Sequence, residues 1–201
     1  MSMNDITRYV AHRLHKWESM GSGHPVTTRE LALMRRAVGK LPGEDPSIWG
    51  ILFDGFPENL MSMNGIPSYA ENAVFTALTA YALHQQGSDI HTHNMNQETW
   101  SLGRAVRALA GNDGNEEELA RVRKRFNILA TASNTRELNH YLYQMIRMLR
   151  AKNIPLDYPA LARDLYLYQM KNGKEKVMLR WGEDFYRVPK TENKETENKG
   201  E

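Results

Sequence analysis

Residues 115–153 read NEEELARVRKRFNILATASNTRELNHYLYQMIRMLRAKN, a stretch of 39 residues without glycine or proline. Leu119, Val122, Phe126 and Leu129 recur at spacings of three, four and three, which draws one apolar stripe along a helix of 3.6 residues per turn. Arg121, Lys124 and Arg125 fall off that stripe, so the helix has an apolar side and a cationic side. Thr131-Ala132-Ser133-Asn134-Thr135 interrupts the pattern with short polar side chains that favour helix caps. Leu138, Leu142, Met145 and Leu149 then repeat the stripe, with Arg147, Arg150 and Lys152 in the final turns. Two amphipathic helices with basic outer faces are therefore expected at the centre of an all-α chain.

Upstream, Ser101-Leu102-Gly103-Arg104-Ala105 leads into the stretch and Gly111-Asn112-Asp113-Gly114 breaks before it. Ile6, Val10, Leu14 and Trp17 predict a first helix from about Asp5 to Met20, stopped by Gly21-Ser22-Gly23-His24-Pro25. Thr27 and Glu30 have the spacing of a capping box, and Leu31, Met34 and Val38 give the next stripe before Gly39. Asp45-Pro46 predicts a capped start for a short buried segment of Ile48, Trp49, Leu52 and Phe53. Alanine-rich sequence from Ser68 to Gln86 reads as a buried helix ended by Gly87, the spine of the N-terminal half. Downstream, Asp157 caps a helix carrying Leu161, Leu165 and Tyr168, Asn172-Gly173 breaks it, and Val177, Met178, Trp181 and Phe185 share one side of the last helix.

No alternating apolar pattern of strand length occurs. The expected architecture is a small N-terminal helical domain over 1–97 and a basic C-terminal four-helix bundle over 98–188, divided at the polar stretch Gly87 to Glu98. The segment 189–201 is rich in Lys, Glu, Asn and Thr, without a large apolar residue, and is expected to be a disordered tail.

The chain has 201 residues, 41% of them hydrophobic and 25% charged, which is a globular composition. It has no apolar run long enough for a membrane span, and its N-terminus lacks the layout of a secretory signal, so a soluble cytoplasmic protein is expected. With no cysteine, disulfides, thiolate metal sites and cysteine nucleophiles are excluded. The net charge of +2 hides an asymmetry. Residues 1–100 carry 7 Lys/Arg against 10 Asp/Glu, whereas residues 101–188 carry 16 against 10. The basic half is the one expected to face a polyanion.

Motifs for hydrolase, protease, nucleotide-binding or dehydrogenase chemistry are absent, and no enzyme activity and no cofactor are expected. His84, His91 and His93 lack the carboxylate or thiolate partners of a metal set and read as solvated loop histidines. Glu116-Glu117-Glu118 is explained by the positive end of a helix dipole. Tyr141, Tyr143, Tyr166 and Tyr168 have the chemistry to stack on bases, but packing is the commoner role of such residues on a helix. The basic residues remain. Arg104 with Arg107, Arg121 with Arg125, and Arg147 with Arg150 are pairs three or four apart, placed to straddle a phosphate backbone, and no helix-turn-helix is present to read bases. Backbone binding without sequence reading is the more economical inference, beside the alternative that a basic excess of this size serves only solubility.

Several stretches taken together resemble a known family. They are Leu31-Ala32-Leu33-Met34-Arg35-Arg36-Ala37-Val38-Gly39-Lys40, Gly43-Glu44-Asp45-Pro46, Ser101 to Ala105, Arg123-Lys124-Arg125-Phe126-Asn127, Ile154-Pro155-Leu156-Asp157-Tyr158 and Trp181-Gly182-Glu183-Asp184-Phe185. In order and spacing they are similar to the CasB family, the small subunit of the type I-E CRISPR Cascade complex, over nearly the whole chain to about Val188. The resemblance implies an all-helical, non-catalytic subunit, paired head to tail with a second copy between the large subunit and the backbone subunits. It also implies contacts to guide RNA–target pairing and to the displaced strand through basic surfaces, while sequence is read by the guide. Arg35, Arg36, Arg104, Arg123 and Lys124 are the contacts it implies; Arg107, Arg121, Arg125, Arg147, Arg150 and Lys152 follow from local charge. A free-standing DNA-binding protein and a helical protein-interaction adaptor are the competing readings.

Overall fold

The computed structural model describes residues 3–111 and 115–187. Asn112-Asp113-Gly114 of the expected break and the expected tail, 189–201, lie outside the described residues. Nine α-helices make up the described chain, joined by turns and two short 3-10 segments, and no strand is present among the described residues. The all-α expectation holds.

α1 (Met3–Met20) buries Ile6, Val10, Leu14 and Trp17 along the expected stripe, and Trp17 lies parallel to Tyr81 with ring centroids 5.8 Å apart. Gly21 ends the helix at φ +80°, and a Cβ there would fall 2.2 Å from His91 Nε2, so both backbone conformation and space require glycine. α2 (Pro25–Arg36) starts two residues before the expected capping box. Pro25 occupies its first turn, and His24 Nδ1 accepts from Val26 N at 3.3 Å. The carboxylate of Glu30 is taken instead by the buried indole of Trp17, whose Nε1 donates to it at 2.7 Å. A tertiary partner has displaced a local cap.

Asp45 caps the 3-10 turn Pro46–Ile48, which runs into α3 (Trp49–Phe53). Ile48, Ile51 and Leu52 are buried, whereas Trp49, expected inside, is 46% exposed because it lies off the face that those three residues share. α4 (Tyr69–His84) opens with a complete capping box, Ser68 Oγ accepting from Glu71 N and Glu71 Oε2 from Ser68 N. It is apolar on every side and packs against α1, α2, α7 and α8. Ala73, Ala77 and Ala80 are fully buried in it, and such small side chains permit close approach of neighbours.

Beyond the turn at Gly87, the polar stretch expected to divide the chain is tied to its C-terminal half. Leu156 N donates to Met95 O and Gln97 N to Leu156 O, and Asn96 Oδ1 accepts from Tyr158 N. Buried apolar residues on both sides of this stretch belong to one cluster.

The C-terminal half contains α6 (Glu116–Ala130), α7 (Thr135–Ala151), α8 (Tyr158–Tyr168) and α9 (Lys174–Tyr186), the four helices expected, capped by Asn115, Asn134 and Asp157 in the first three cases. α5 (Leu102–Ala108) adds a fifth, short helix laid along α9. A Cβ on Gly103 would stand 2.2 Å from the Trp181 carbonyl oxygen, so this glycine sets the α5–α9 distance. Between α8 and α9, the carboxylate of buried Asp164 accepts from Trp181 Nε1 at 2.7 Å and from Arg180 at 2.6 Å. Burial raises its pKa even against the pull of Arg180 and Arg163.

Candidate nucleic-acid interface

The eleven basic residues singled out in the sequence divide by what their charged ends touch. Three serve helix C-termini. Arg150 donates to Gln86 Oε1 at 2.7 Å and to Leu83 O at 3.4 Å at the end of α4. Lys152 Nζ donates to Leu109 O at 2.7 Å and Arg107 to Gly111 O at 3.4 Å, both at the end of α5. Carbonyls at a helix end lack intrahelical donors and carry the negative end of the dipole, so each cation is held by the protein itself.

Three more have other partners. Arg121 is paired with Glu117 and Glu118 one turn back on α6, so the acidic first turn neutralises the nearest arginine. Arg125 reaches across to Met148 Sδ on α7 at 3.4 Å. Arg104 lies over the Trp100 ring at 4.4 Å from its centroid and contacts Thr99, while remaining exposed. None of the three expected arginine pairs is left as two unengaged guanidiniums.

Arg35, Arg36, Arg123, Lys124 and Arg147 have no hydrogen-bond or ion-pair partner among the described residues. Arg36, Arg123, Lys124 and Arg147 are exposed; Arg35 is half-buried, and desolvation lowers its pKa without removing its charge. Arg123 borders an apolar notch between α6 and α9 lined by Phe126, Trp181 and Phe185. Arg147 belongs to a separate groove of about 250 Å3 where the turn after α2 meets α7. Its walls carry Lys40, Arg136, His140 and Arg147, with Asn139 and Tyr143 beside them. Sequence reading missed Arg136 and His140, although with Arg147 they follow an i, i+4, i+11 pattern that keeps one face of a helix. Lys40 was legible only as one of several cations near α2.

The other candidate groups resolve into structure. His84 is fully buried at the end of α4, not solvated in a loop, with Nδ1 2.8 Å from the Tyr158 hydroxyl. Its burial lowers its pKa to about 4, so the ring is neutral at pH 7. His91 and His93 are exposed, and no set of three His, Asp or Glu among the described residues is placed to hold a metal ion. Tyr143, Tyr166 and Tyr168 are buried and Tyr141 half-buried; the Tyr168 hydroxyl donates to Ala130 O and Ala132 O at the end of α6. No described helix is long and apolar enough to cross a membrane.

Comparison with known proteins adds an independent line. No curated protein sequence matches the chain. Residues 30–186 match the family described as CRISPR-associated protein Cse2. Among solved structures, the crystal structure of CasB from Thermobifida fusca superposes with a TM-score of 0.75 at 30% sequence identity, covering 92% of this chain and 100% of the other. With the family match spanning most of the helical sequence and a homologous structure reproducing the arrangement of 92% of the chain, the chain belongs to the CRISPR-associated Cse2 (CasB) family.

Proposed function

We propose that this protein is the non-catalytic small subunit of a type I-E CRISPR Cascade complex. In this role it binds nucleic acid without reading sequence and stabilises guide RNA–target DNA pairing together with the displaced strand. The observation that carries the reading is that cations such as Arg36, Arg123, Lys124 and Arg147 are exposed and have no hydrogen-bond or ion-pair partner among the described residues, on a chain of this family. Phosphates bound by such groups release counterions, which gives affinity with a steep salt dependence and no sequence preference. Arg35 and Arg104 extend the same chemistry, the latter as a guanidinium already stacked on an indole. The partners in this reading are the large and backbone subunits, guide RNA, both target strands and a second copy of the chain, in the cytoplasm.

The test is reconstitution with a guide-RNA complex. The protein should co-purify with that complex, and unpaired thymines of the displaced strand should become less reactive to permanganate when it is present. A protein that binds duplex DNA equally tightly alone and never joins the complex would be a free-standing binder. One that joins the complex without changing the lifetime of the opened target would be an adaptor.

A further inference from the structure

The groove between the turn after α2 and α7 has three properties that set it apart from the other basic surface. No carboxylate lines it. Arg136 and Arg147, at its walls, have no partner among the described residues and are exposed. Between them, His140 lies on the same face of α7, with Nε2 2.8 Å from the Gln144 amide nitrogen. From the opposite wall Lys40 is held by Asp45 at 2.8 Å.

Its geometry is fixed from beneath. The Tyr143 hydroxyl is 2.8 Å from Thr79 Oγ1, and Asn139 Nδ2 donates to Thr76 Oγ1 at 3.0 Å, so α7 is pinned to the buried helix α4. At the end of α2 the carbonyls of Leu33, Met34, Arg35 and Ala37 accept from the backbone N–H groups of Ala37, Val38 and Lys40, so these four do not oppose an anion. At 1.5 Å per residue, Arg136 and Arg147 are separated by roughly 16 Å along the helix axis, and their turn angle differs by only about 20°. A small anion would engage one end. An extended polyanion engages both, with His140 between.

We propose that this groove is a track for a short length of phosphodiester backbone, with Arg136 and Arg147 meeting different phosphates of one strand. The inference rests on the functional reading above and adds Arg136 and His140 to the residues that contact nucleic acid. DNA and RNA share the backbone chemistry, so the probes are labelled oligothymidylate and oligouridylate, and the readout is fluorescence anisotropy across a salt series.

Replacing both arginines (R136A with R147A) should make the slope of log affinity against log salt shallower by about 1.4 on the preferred probe, at about 0.7 per single-strand phosphate. Between 50 and 200 mM salt that is a difference of roughly sevenfold in relative affinity loss. R136K with R147K should restore most of the slope. K171A with K176A removes two exposed cations away from the groove and should leave it nearly unchanged. Far-ultraviolet circular dichroism verifies folding of each variant, and the series is repeated in the reconstituted complex, with displaced-strand protection as readout.

Wild-type protein that binds neither probe, alone or in the complex, sinks the functional reading and the groove with it. Wild-type binding with an unchanged slope in R136A/R147A overturns the groove alone. A variant that keeps its slope but no longer joins the complex assigns the groove to an acidic protein partner, which also overturns the proposal.

Discussion

The division of basic side chains into helix-capping and solvent-facing sets makes opposite predictions for two double variants of equal charge. R150A with K152A removes cations from the ends of α4 and α5, where they make hydrogen bonds of 2.7 Å to Gln86 Oε1 and Leu109 O. A cation at a partly exposed helix C-terminus contributes about 0.3 to 1 kcal/mol through the dipole, and a charged hydrogen bond to a half-buried partner raises the upper end. Together the pair should cost about 1 to 2 kcal/mol. For a chain of this size each kcal/mol lowers the unfolding midpoint by roughly 2 to 4 °C, so a fall of about 2 to 8 °C is expected. R123A with K124A removes two exposed cations from α6 that touch no partner among the described residues, and alanine is the best helix former, so stability should change by no more than about 0.5 kcal/mol. Binding should show the reverse order. On single-stranded DNA the α6 variant should lose about 1.4 from the salt slope and the capping variant much less. Thermal denaturation followed by circular dichroism and anisotropy at four or so salt concentrations suffice. If R150A/K152A keeps its unfolding midpoint and flattens the salt slope, while R123A/K124A does neither, the partition by bonding partner is wrong and the α4 and α5 ends face the nucleic acid.

R121A alone should change the salt slope by well under the roughly 0.7 expected of a free cation, because Glu117 and Glu118 already neutralise it; a full decrement would contradict the pairing. G103A places a methyl group against the Trp181 backbone and should destabilise by about 1 to 3 kcal/mol, read as a lower urea midpoint; an unchanged midpoint would mean that α5 and α9 separate freely. His84 has its folded-state pKa lowered to about 4, below the ordinary 6.5, so the unfolded chain takes up its proton first as pH falls. Its contribution is fully present above pH 6.5 and is lost progressively down to pH 4, by up to about 3 kcal/mol at 1.36 kcal/mol per pH unit. Urea titrations at pH 7 and pH 4.5 should show this loss in wild type and a smaller one in H84Q; equal losses would place the acid sensitivity elsewhere.

Helix type and most helix limits were legible because they depend on neighbours in sequence. The stripes of α1, α6 and α7, the caps at Asn134 and Asp157, and the stops at Gly21 and Gly87 each express a local rule, and the structure keeps them. The family resemblance was likewise a matter of residues in order. Local rules failed where a distant group competed. Glu30 left its expected cap for the Trp17 indole, and Trp49 turned outward because Ile48, Ile51 and Leu52 fill the space beneath α3.

Charge was the least legible quantity. A sequence shows how many cations a helix carries and on which face, and it placed the basic excess in the half after residue 100. It does not show which carbonyl or carboxylate lies within reach once helices pack. Arg150 and Lys152 look as free as Arg147 in one dimension, yet they end on residues 64 and 43 positions away. Arg136 and His140 drew no notice, because the groove they line exists only when α7 meets the turn after α2. Apolar periodicity fixes each helix by itself, since the alternative exposes a whole stripe to water. Whether a given arginine is a strut or a contact depends on distances between elements, and those are set only by tertiary packing.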